Sequence, residues 1–290
     1  MLKSACAFLS LPARSAGGRW VGLKVIGFIA LLVLVLLSLD RYFFHFLETA
    51  PAEMVLIPAG SFIMGSDKKD LSGVGREFGL QKPLYEDEHP QRTISLQTFY
   101  LDRYEVTNAD YDRFVQATRY RTPQHWEGGK IPSGQEHFPV TNVSWYDAQE
   151  YCQWLGKRLP SEAEWEKAAR GSKGLEYPWG ETFNPTKANV GAEGIIGLMP
   201  VGSFKAGLSP YGVSDLAGNA WEWVEDWYRA YPGSDYHSEF FGSKYKVLRG
   251  GSYGGSGHYH LPVFYRGAFR TYADPILTFP DVGLRCAKAP

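Results

Sequence analysis

Two hydrophobic patterns divide this chain. From Val25 to Leu39 apolar residues run unbroken except for Gly27 and Ser38, and Trp20-Val21-Gly22-Leu23 extends the run across Lys24. With Lys24 snorkelling toward the headgroups, Trp20–Leu39 supplies the ~20 residues that a spanning helix needs. Beyond it the apolar residues fall in short groups. Met54–Gly65 reads as two short strands joined by a Pro-Ala-Gly-Ser turn, which predicts an opening hairpin. Arg92–Tyr100 alternates as a strand, and Val247–Tyr253, Gly267–Tyr272 and Val282–Ala287 read as later ones.

Helical spacing occurs three times. Thr107 is an N-cap with Asp110 three residues on, and Tyr111, Phe114 and Val115 recur at helical intervals, predicting a helix over 108–118. Ser144 caps a second helix over 145–155, which Gly156 stops. Ser161 and Glu164 form a capping box for a third that runs to Arg170 before Gly171. Between these elements lie long glycine- and proline-rich stretches. His125 and His137 fall in one of them and read as surface loop residues, since nothing nearby completes a site. Loops of such length need something other than strand ladders to hold them, for example bound ions. Few helices and many short strands define an irregular α+β domain.

Charge orients the apolar run. Lys3, Arg14, Arg19 and Lys24 precede it or interrupt its start, and no acid occurs before Asp40, so the N-terminus is expected in the cytoplasm and the C-terminal part outside it. A cleaved signal peptide has the same charge order. Against it, Asp40-Arg41-Tyr42-Phe43-Phe44-His45-Phe46-Leu47 continues as an aromatic interfacial belt instead of offering a small-residue cleavage site. The expected division is a cytoplasmic segment at 1–19, a transmembrane anchor at 20–39, a juxtamembrane linker at 40–53 and one large domain at 54–290. That makes a single-pass membrane protein, with its domain in the periplasm if the source is bacterial. A net charge of −1 without a Lys/Arg cluster in the domain argues against nucleic acid as a partner. Of the three cysteines, Cys6 sits before the anchor, which leaves Cys152 and Cys286 in an oxidising compartment and allows one disulfide.

The candidate chemistry centres on Asp215-Leu216-Ala217-Gly218-Asn219-Ala220-Trp221-Glu222-Trp223-Val224. In an extended segment Trp221 and Trp223 point one way and Glu222 the other. Two readings stand: a buried aromatic strand entering a turn, or turn carbonyls and Glu222 that hold a hard cation such as calcium.

Taken together, several segments resemble the formylglycine-generating enzyme family, also called the sulfatase-modifying-factor domain. They include Ile57-Pro58-Ala59-Gly60-Ser61-Phe62-Ile63-Met64-Gly65, Tyr104-Glu105-Val106-Thr107-Asn108, Pro139-Val140-Thr141-Asn142-Val143-Ser144-Trp145 and Lys157-Arg158-Leu159-Pro160-Ser161-Glu162-Ala163-Glu164-Trp165-Glu166. Tyr177-Pro178-Trp179-Gly180, Gly218-Asn219-Ala220-Trp221-Glu222-Trp223, Arg249-Gly250-Gly251-Ser252-Tyr253 and Gly283-Leu284-Arg285-Cys286 follow in order. The resemblance implies an irregular, C-type-lectin-like α+β fold with little regular secondary structure. It also implies two structural calcium sites, one from the side chains of Asn189 and Glu193 with the carbonyls of Val190 and Ile195, the other from the Ala217, Gly218 and Ala220 carbonyls with Glu222. Glu193 departs from the family's usual Asp.

In the oxidase members of the family two cysteines just after the Gly-Gly-Ser strand bind copper(I), and a soft ion suits soft thiolates. The corresponding stretch Gly254–Phe264 contains no cysteine, and Ala169 and Gly267 stand where a second family pair would be. Only the Cys152–Cys286 bridge is retained by the resemblance, and no copper is expected. His258 and His260 share one face of a strand but lack a third ligand, and Gly250-Gly251-Ser252-Tyr253-Gly254 fits a nucleophile elbow without the helix that must follow it. The expected function is an accessory or structural binding subunit of a membrane assembly. Tyr253, His258, Tyr259, His260, Phe264 and Tyr265 would touch a protein partner. The alternatives are an enzyme of the family, whether a residual sulfatase-type modifier or another oxidoreductase, acting through unrecognised residues, and a ligand-displaying lectin-like receptor.

Overall fold

The computed structural model describes residues 53–77, 84–192, 194–254 and 261–290. The expected segments at 1–19 and 20–39, and the linker except its last residue, lie outside them. Among the described residues no helix is long and apolar enough to cross a membrane.

The described part is a mixed α+β domain with few helices. Besides a single helical turn at Val74–Glu77, three longer helices, α1 (Asn108–Thr118), α2 (Trp145–Trp154) and α3 (Glu162–Arg170), start where their capping residues predict. Thr107, Ser144 and Ser161 each accept from the third helical N–H, while Asp110, Asp147 and Glu164 reach back to the cap. Each box satisfies two amide donors that the helix itself leaves open.

The strands are β1 (Met54–Ile57), β2 (Gly60–Met64), β3 (Arg92–Leu96), β4 (Phe99–Asp102), β5 (Trp221–Trp227), β6 (Lys246–Arg249), β7 (Thr271–Ala273), β8 (Val282–Leu284) and β9 (Ala287–Lys288). They form three sheets in the orders β1-β4-β9, β2-β3 and β7-β6-β5-β8. The expected opening hairpin is therefore corrected. β1 pairs antiparallel with β4, and β2 with β3, so the two strands diverge at the turn between them. At the turn between them the buried ammonium of Lys167 on α3 donates to the carbonyls of Pro58 and Gly60 at 2.7 and 3.0 Å, which fixes the turn while each strand pairs with a later one. The single strand expected over 92–100 is likewise two, β3 and β4.

β5 lies between β6, antiparallel, and β8, parallel. Its two faces are both covered: Trp221 and Trp223 are buried on one, and Glu222 on the other is 0% exposed. A disulfide joins Cys152 of α2 to Cys286, just after β8, with Cα atoms 5.7 Å apart. It ties a helix to the strand beside β5, so the loop that enters β5 is fixed from two directions.

Candidate cation loops and the adjoining segment

The turn before β5 is built from backbone conformations that few residues adopt. Asp215, Gly218 and Asn219 have φ of 58°, 81° and 64°. Asp and Asn tolerate this region because their short polar side chains hydrogen-bond locally. Gly218 has a second constraint, since a Cβ there would lie 2.2 Å from the Asn189 carbonyl oxygen. This close approach locks the two candidate loops together. The Asn219 N–H donates to the Asn189 carbonyl at 2.8 Å, and the Asn189 amide donates to Asn219 Oδ1 at 3.0 Å. Sequence places the two loops thirty residues apart; the fold makes them one structure.

Glu222 sits beneath this turn. Arg285 Nε donates to its Oε2 at 2.6 Å, Arg285 Nη2 to its Oε1 at 2.8 Å, and Trp165 Nε1 to Oε2 at 2.9 Å. Glu105 is buried beside it and accepts from the Asn219 amide and the Ala220 N–H at 2.8 and 3.1 Å. Burial raises the Glu105 pKa well above the carboxylate range, and the charges of Asp215 and Glu222 add to the effect. Burial likewise pushes Asp215 up to about 6, although the Gly202 N–H at 2.7 Å and the Arg285 charge pull it down. Three acids thus crowd one guanidinium. The sequence reading missed Glu105, Trp165 and Arg285, and its signal for them was slight: all three lie in segments that carry the family resemblance, but far from Glu222 in the chain.

Several oxygens of these loops are left without a donor, as a hard cation would require. Among the described residues no hydrogen bond ends on the carbonyls of Ala217, Gly218 or Ala220, although all three residues are buried. Buried carbonyls without a donor are costly unless something else satisfies them. Glu222 Oε1 has one donor and two lone pairs, so it keeps one coordination position. In the other loop Asn189 Oδ1 has only a 3.5 Å contact from the Gly191 N–H, while the Val190 carbonyl accepts from Tyr265 Oη at 3.3 Å. Glu193 lies outside the described residues. No cluster of three or more His, Cys, Asp or Glu side chains suited to a metal occurs among the described residues, so a cation here would depend on the carbonyls.

The expected partner-contact set needs correction. Phe264 and Tyr265 are buried, 8% and 2% exposed. The single 3-10 turn Pro262–Tyr265 directs both rings inward, where Phe264 packs edge-on against Phe269 at 5.1 Å and Tyr265 stacks on Phe183 at 5.8 Å. Tyr253 is half-buried, and His258, Tyr259 and His260 lie outside the described residues. Nearby, Ser252 Oγ donates to Asp281 Oδ2 at 2.8 Å, a buried contact that the sequence did not suggest.

This irregular α+β fold with its paired loops defines the class to which the protein belongs. Residues 44–290 match the Sulfatase-modifying factor enzyme 1-like domain, and the chain is a member of that family. It is 31% identical to the formylglycine-generating enzyme of Bos taurus, over 82% of this chain and 75% of that protein. It is 32% identical to the inactive C-alpha-formylglycine-generating enzyme 2 of Mus musculus, over 81% of this chain and 85% of that one. The solved structure of PvdO from Pseudomonas aeruginosa aligns with a TM-score of 0.63 at 28% identity, covering 82% of this chain and 94% of that one. A relative named as an enzyme and one named as inactive stand at the same distance, so kinship leaves activity to be argued from side chains.

Proposed function

We propose that this protein is a membrane-anchored, extracytoplasmic member of the family that works by binding, as an accessory or structural subunit of a membrane assembly, without formylglycine oxidase activity. The observation that carries this reading is the state of the thiols. The chain has three cysteines; Cys152 and Cys286 are joined to each other, and Cys6 precedes the expected anchor. No pair of free thiolates is left in the domain for copper(I), the soft ion that the oxidase members of the family bind through two cysteines.

Calcium in this reading is structural. It would be held by the Ala217, Gly218 and Ala220 carbonyls with Glu222, and at a second position by Asn189, Glu193 and the Val190 and Ile195 carbonyls. Bound there it would supply positive charge to the Ala217, Gly218 and Ala220 carbonyls, which have no donor among the described residues, and so stiffen the loop entering β5. The test of the central claim is direct. The purified full chain is incubated with copper(I), oxygen and a sulfatase-type cysteine peptide, and the peptide mass is read. It should stay unchanged; turnover above a metal-only control overturns the proposal.

A further inference from the structure

A cleft of about 550 Å³ opens at the C-terminal end of β5, between the N-termini of α2 and α3. Arg92, Arg229 and Lys246 line it, and none of the three has a carboxylate partner among the described residues. The Arg92 guanidinium lies 4.0 Å over the Tyr231 ring; its Nη2 meets only the Met64 sulfur at 3.4 Å, and its Nη1 is buried without a partner. Arg229 is exposed and donates only to the Gly242 carbonyl and to Ser243 Oγ. Lys246 Nζ sits between the Trp145 and Trp227 rings, at 3.9 and 4.0 Å, and donates to the Glu225 carbonyl at 2.6 Å.

This is unusual within the molecule. The buried arginines Arg170, Arg249, Arg266, Arg270 and Arg285 are each paired with a glutamate. Of the three acids lining the cleft, Glu162 is held by an arginine and Asp226 by a backbone amide. Arg270 takes both oxygens of Glu162 at 2.8 Å, and Asp226 Oδ2 accepts the Glu162 N–H at 2.6 Å, in the first turn of α3. Glu225 remains, exposed at the rim. Burial lowers the Lys246 pKa to about 8, against the opposing pull of Asp226 and Glu225. A concave surface with unmatched cations concentrates positive potential, and guanidinium groups match carboxylates with two parallel hydrogen bonds. Beside them the half-buried Trp227 and the exposed Pro232 offer apolar surface.

We propose that this cleft recognises an acidic peptide segment of a protein partner, with the exposed Arg229 receiving a carboxylate, Arg92 adding positive charge behind it, and Trp227 and Pro232 packing against an adjacent apolar side chain. The assignment rests on the reading of the domain as a binding subunit, yet it fails separately: the peptide-mass assay above does not involve the cleft.

The test uses the full chain in mild detergent and two fluorescent peptides, one of alternating glutamate and leucine, the other its glutamine counterpart. Anisotropy should show the glutamate peptide binding at least tenfold more tightly, with affinity falling as salt rises. Arg229→Gln and Arg92→Gln should each weaken it severalfold; Arg229 is the safer variant because it is exposed and bears no buried contact. Equal affinity for the two peptides, or unchanged binding to both variants, overturns the proposal. So does complete displacement by millimolar inorganic phosphate or glutarate, which would assign the cleft to small anions.

Discussion

Arg285 grips Glu222 at two points, Nε to Oε2 at 2.6 Å and Nη2 to Oε1 at 2.8 Å, with neither side chain reaching solvent. A buried pair of this kind is costly to break from one side, because the survivor keeps its desolvation penalty without its partner. Arg285→Met should therefore destabilise the domain by about 3–5 kcal/mol. The double variant Arg285→Met/Glu222→Gln should recover a good part of that loss, and denaturant unfolding of the four proteins of the cycle measures the coupling. Glu222→Gln alone tests calcium in the same samples. Wild type should melt higher in calcium than in chelator, while the variant should show no calcium-dependent shift; an equal shift in both would show that Glu222 is only an ion-pair partner.

The disulfide closes a loop with a sequence separation of 134 residues. In the chain-entropy view such a bridge constrains the unfolded chain by about 4–5 kcal/mol. Cys152→Ala/Cys286→Ala should lose stability of that order, read from the shift in urea midpoint. A loss below about 1 kcal/mol would mean that strain offsets most of the entropic gain.

Asp215 carries a pH signature. Its folded-state pKa is raised to about 6, chiefly by burial. From about 4, the ordinary aspartate value, up to about 6 the folded chain holds a proton that the unfolded chain has released, so this group's contribution falls as pH rises through the window. Asp215→Asn tolerates the same left-handed backbone and keeps an oxygen for the Gly202 N–H. The stability difference between variant and wild type, measured in chelator at pH 4.5 and pH 7.5, should move in favour of the variant at the higher pH. A difference that does not change with pH would show that Asp215 titrates normally.

Phe264 distinguishes core from contact surface. Phe264→Ala removes a ring that packs on Phe269 and should destabilise by about 3–5 kcal/mol. A loss under 1 kcal/mol, seen as a melting temperature close to wild type, would return the ring to the surface.

How much was legible in the sequence varied with the range of the interaction. Helix starts were readable because Ser or Thr followed by Asp or Glu three residues on is a local, complete hydrogen-bonding unit. The opening hairpin was misread because strand pairing is a contest between distant edges. Nothing in Met54–Gly65 reports that Lys167 will bind the carbonyls of Pro58 and Gly60. Phe264 and Tyr265 were assigned to a surface on composition alone, yet one short turn decided which way the rings face.

The sequence by itself determined the family, the helix caps, the lack of a second thiol pair and the cysteines that form the bridge, all properties of residue type or short spacing. Only the tertiary structure decided that Glu222 belongs to Arg285 and Trp165, that Asn189 and Asn219 are hydrogen-bonded neighbours, and that Arg92, Arg229 and Lys246 open onto one cleft. Buried charges must find partners wherever the chain brings them, and for this domain those partners are long-range. Glu222 and Arg285 are 63 residues apart, and Glu105 and Asn219 are 114 apart, separations over which no sequence pattern encodes a contact.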